Sequence, residues 1–114
     1  MQDLKQRTFE FAVKVGKLIL DLPYNVVNKA YFGQLIRCSS SVGANYRAAR
    51  RAKSDAGFIN KLKIVEEESD ESVYFLELLR EFNSNFKERI NEGTEILKII
   101  VSSINTTRTR VNSK

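Results

Sequence analysis

A chain of 114 residues with 19 Lys and Arg, 14 Asp and Glu, no histidine and one cysteine has room for one domain around one core, with a formal charge of +5. At that length folding buries roughly 60–70% of the surface the unfolded chain exposes, so neither a metal nor a disulfide is required. The lone Cys38 excludes an intrachain disulfide, nothing resembles a signal peptide, and no apolar run approaches a membrane span, which together point to a soluble, cytoplasmic protein.

One proline and five glycines are too few turn signals for an all-β fold, and the abundant Leu, Lys, Glu, Arg and Ala favour helices. In the first segment Leu4, Thr8, Phe11, Val15, Leu18 and Leu22 alternate in steps of four and three, with Asp3, Arg7, Glu10, Lys14, Lys17 and Asp21 opposite them. This amphipathic helix should stop before Pro23, whose ring removes a donor and disfavours a helical residue before it. The stretch from Val26 to Lys53 places Phe32, Leu35, Ser39, Val42, Tyr46 and Ala49 on one face of a second helix, with Cys38 at its edge as a small buried hydrophobe. Ser54 is a candidate N-cap for a long third helix on which Phe58, Leu62, Val65, Ser69, Ser72, Leu76 and Leu79 repeat. After a turn at "NSNF" (83–86), a fourth helix carries Ile90, Leu97, Ile100 and Ile104. The pattern then lapses, so residues 1–104 are expected to form the domain and 105–114 a frayed or disordered polar tail.

Each apolar stripe must find another, and short connections make sequential helices antiparallel. The expected fold is therefore all-α, an up-down-up-down four-helix bundle with shallow crossing angles. Its polar inventory offers little chemistry. The acidic run "EEESDES" (66–72) lacks the histidines that carboxylate-bridged metal sites in bundles use, and Glu67 and Glu71 should face solvent. Ser39, Ser40 and Ser41 have no histidine to activate them, and no glycine-rich phosphate loop occurs. No enzyme activity and no cofactor are expected. The serines read instead as small packing residues, and the helix 2–helix 3 register suggests a bond from Ser39 or Ser40 to Glu66 or Glu68.

The cations are more informative. Between Arg37 and Val65 the sole acid is Asp55, against Arg37, Arg47, Arg50, Arg51, Lys53, Lys61 and Lys63. These seven are the candidate nucleic-acid-binding residues. In the same register only Arg37 is level with the acidic run, whereas Arg47 sits about ten residues, or ~15 Å, away. An up-down bundle would add Lys5, Arg7, Arg108 and Arg110 to the basic end and gather Asp21, Glu71, Glu77, Glu81, Glu88 and Glu92 at the other.

The string "QLIRCSSSVGANYRAARRAKSDAGFINKLKIVEEESDESVYFLELL" (34–79), together with "FEFAVKVGKLILDLP" (9–23), resembles the 23S rRNA intervening-sequence proteins. Where the commoner family form has Glu-Gly shortly after its asparagine, Ala48 and Ala49 follow Asn45 here, giving a more basic variant. The resemblance implies a four-helix bundle in a ring-like homo-oligomer, commonly a pentamer, with no established enzymatic activity. Some members of the family are encoded within insertions in ribosomal RNA genes, and a related basic bundle is the nucleic-acid-binding accessory protein of diversity-generating retroelements. The expected function is thus a non-enzymatic oligomer that binds nucleic acid, RNA more than DNA, through a basic end without strong sequence preference. The alternative is a structural adaptor that binds a partner protein and uses its arginines between subunits.

Overall fold

The structure is a computed structural model that describes residues 3–113; positions 1, 2 and 114, the outermost residues of the expected domain and tail, lie outside the described residues. Four helices follow in order: α1 Leu4–Leu20, α2 Val26–Arg50, α3 Asp55–Arg80 and α4 Lys87–Asn112. No strand occurs among the described residues. The helices form an antiparallel bundle in which α2 packs on α1 and α3, and α4 on α3 and, less extensively, on α1. None of them is long and apolar enough to cross a membrane.

The helix boundaries follow local chemistry. Asp3, Asn25 and Ser54 accept hydrogen bonds from Lys5, Asn28 and Gly57 N–H, satisfying the orphan donors that open α1, α2 and α3. The second helix ends at Arg50, short of the expected Lys53, because Ser54 caps the next helix and the chain must reverse before it. At the start of α4 no side chain caps the helix; Asn85 adopts a left-handed conformation at φ 71° and the buried Phe86 plugs the bundle.

In α1 to α3 the expected stripes form the core, with Phe11, Val15, Leu35, Val42, Leu62, Val65, Leu76 and Leu79 buried and Phe58 at the margin. Cys38 is buried too; its Sγ donates to Leu35 O and burial pushes the thiol pKa up.

Three expectations are corrected. The fourth helix turns Ile96, not Leu97, into the core, because Gly93, Ile96, Ile100, Ile104 and Thr107 make the buried stripe. That stripe also carries α4 through the supposed tail to Asn112: Thr107 stays buried by donating its hydroxyl to Ser103 O, so a polar residue continues a packing face. Finally, the serine-to-carboxylate bonds do not form. Ser39 Oγ donates back to Ile36 O, Ser40 is exposed, and Glu68 is taken by Arg37.

With 17 residues α1 is much shorter than α4, with 26, and it packs on the first half of that helix. A Cβ on Gly93 would sit 3.2 Å from the Phe11 ring, which locates the crossing of the two helices. At the α1–α2 and α3–α4 turns a reciprocal amide pair joins the connections. Asn28 Nδ2 donates to Pro23 O and to Asn83 Oδ1, and Asn83 Nδ2 donates to Asn28 Oδ1 and to Leu79 O.

Candidate nucleic-acid interface

The bundle is 53 Å long and 24 by 20 Å across, so charge at one end is felt separately from charge at the other. At the α2–α3 end the last turn of α2 carries Arg47 and Arg50, Arg51 caps it, Lys53 lies in the turn, and Lys61 and Lys63 project from α3. All six side chains are exposed, and among the described residues none has an ion-pair partner. Tyr46, just before them in sequence, and Ala49, between Arg47 and Arg50, are buried and anchor the turn. A shallow depression lined by Arg50, Lys53, Ser54, Asp55 and Arg110 brings the end of α4 to the same place.

Arg37 stands apart. Midway along α2, its guanidinium donates to Glu68 at 3.2 Å and to Glu71 at 2.5 Å, and the Glu71 bond, followed by the Glu68 charge, raises its pKa. The acidic run therefore has a local cation, and the arginine that was level with it in the sequence register is the one it holds. Arg7 likewise is not available to the basic end. It bonds Glu92 at 2.7 Å and Glu95 at 2.9 Å on α4, which raises its pKa, because the short α1 places Arg7 beside Glu92, a carboxylate expected at the far end, and beside Glu95 one turn on. Asp55 pairs with Arg110 at 2.8 Å.

One neighbour of this cluster is missing from the sequence reading. Phe9 of α1 is 50% exposed, and the Arg47 guanidinium lies over its ring, 5.8 Å from the centroid. The sequence signal was its place off the apolar stripe, on the row Lys5–Phe9–Val13–Lys17; what it lacked was the α1–α2 register that sets Phe9 against Arg47.

Residues 2–106 match the family of 23S rRNA-intervening sequence proteins. The chain belongs to that family. A crystal structure of a protein of unknown function from the S23 ribosomal protein family of Bacteroides thetaiotaomicron is 36% identical, with a TM-score of 0.77 over 90% of this chain and 98% of that one. No curated protein matches. Membership in the 23S rRNA-intervening sequence family agrees with the bundle and with the resemblance carried by residues 9–23 and 34–79.

Proposed function

We propose that this family member is a non-enzymatic homo-oligomer, a pentamer by family resemblance, that binds nucleic acid, RNA in preference to DNA, through phosphate contacts at its basic end. The observation that carries the proposal is the set of six exposed cations, Arg47, Arg50, Arg51, Lys53, Lys61 and Lys63, left without ion pairs among the described residues while Arg7, Arg37 and Arg110 are matched with carboxylates. Compensation of the α2 dipole accounts for one or two of them at about 0.3–1 kcal/mol each, and not for charges two turns into α3. Phosphate contacts of this type release counterions and carry little sequence information. An oligomer would present several such ends at once and gain by multivalency.

The test is salt-dependent binding of structured RNA by the wild type and by the triple variant Arg47→Ala, Arg50→Ala, Arg51→Ala. The variant should bind more weakly at every salt concentration, and its slope of log K against log salt should be shallower by about 2 to 3, with the mass in solution unchanged. Unchanged affinity would overturn the proposal. Dissociation of the oligomer would favour the second reading, an adaptor with arginines between subunits, for which the exposed Leu20, Tyr24 and Val26 at the opposite end supply an apolar surface.

A further inference from the structure

The geometry points to a specific preference within that reading: Phe9 and Arg47 form a stacking site for an unpaired base of single-stranded RNA. This rests on the basic end binding nucleic acid and adds what it binds there. Between α1 and α2 lies a hollow of about 280 Å³, walled by Phe9 and Arg47 and floored by Ala12, Ser40, Gly43 and Ala44. The floor is low because its residues are small. Gly43 lets the helices close in, since a Cβ there would meet Thr8 Oγ1 at 3.3 Å.

Three features select the occupant. Phe9 and Val13 are 50% and 39% exposed one helical turn apart, and a flat π-face on that surface suits a base. On the same helix face exposed Lys5 and Lys17 flank them, and exposed Arg51 follows Arg47 by one turn on α2, so the ring is bordered by cations suited to a backbone of phosphates. The exposed Ser40 lines the same hollow, and its hydroxyl can donate to or accept from a base edge. A duplex keeps its bases stacked inside and can offer this site only phosphate; a single strand offers both groups. The guanidinium already resting on Phe9 fits either step, extending the stack beneath a base or moving onto the adjacent phosphate as the base takes the ring.

The experiment compares a fluorescein-labelled oligouridylate of about 12 nucleotides with an RNA duplex of the same length, using the full chain at one salt concentration. Phe9→Ala should weaken single-strand binding roughly 10- to 100-fold and leave duplex binding within about two-fold. Because the chain has no tryptophan, Phe9→Trp introduces its sole indole; this variant should retain single-strand affinity, and its emission should be quenched by the oligouridylate and not by the duplex. Equal losses for both RNAs, an unaltered single-strand affinity in Phe9→Ala, or a fall in solution mass that makes Phe9 a subunit contact would each overturn the stacking site. A wild type that binds neither RNA defeats the underlying reading as well, whereas a wild type that binds both with Phe9→Ala unaffected defeats the stacking site alone.

Discussion

Ser69 illustrates what residue identity alone leaves undetermined. Its place on the α3 stripe and its small size are plain from the heptad-like spacing, and it is buried as that spacing requires. Its hydroxyl, however, makes no hydrogen bond among the described residues, while Ser72, one turn on, donates its own to Glu68 O. A buried hydroxyl without a partner loses its hydration for nothing. Ser69→Ala should therefore raise stability by about 1 kcal/mol in urea denaturation, and a loss of that size would mean the hydroxyl is satisfied in solution. The partners of Ser39 and Arg7 were equally hard to foresee. Each is decided by rotamer and by offsets between helices of a few ångströms, which periodicity does not encode.

At the scale of the element, the sequence is a good guide wherever the core stripe is apolar and a weaker one where it is not. Helices α1 to α3 follow their Leu, Val and Phe spacing, and the cap of α3 was visible as Ser54, whereas Asp3 and Asn25 emerge as caps only in the folded chain. Helix α4 was misphased because its stripe runs through Gly93 and Thr107, which carry no apolar signal. Gly93 is in the stripe for steric reasons: a Cβ there would lie 3.0 Å from Val73 Cγ2 and 3.2 Å from Phe11 Cζ, whereas one on Gly33 meets nothing within 4 Å. Alanine gains up to about 1 kcal/mol over glycine in a helix, and overpacking costs about 1–3 kcal/mol. Gly33→Ala should accordingly raise the melting temperature and Gly93→Ala lower it. If both raised it, α1 would not be held against α4 at this crossing.

At the scale of the molecule the two ends of the 53 Å bundle are built differently. One end is tied by the Asn28–Asn83 pair, part-buried and four-bonded, between two turns. The other is joined across α3 and α4 by the exposed Arg110–Asp55 pair, of a type worth about 0.2–1 kcal/mol. Local opening should follow this difference. In native-state hydrogen exchange, amides in the last turns of α2 and α4 should exchange faster than those of α2 near Asn28 and α3 near Leu79; the reverse order would show that the amide pair does not restrain its end. The concentration of positive charge at the more weakly joined end was legible in the sequence. The restraint at the other end was not, because Asn28 and Asn83 are 55 residues apart and meet only in the folded chain.

The Asn28–Asn83 pair also acts as a latch between two halves of the chain that share no covalent link at that end. It ties the α1–α2 connection to the α3–α4 connection, so the first pair of helices is fastened to the second there by side-chain amides. Because each asparagine is both donor and acceptor to the other, replacing either one removes both cross-links together.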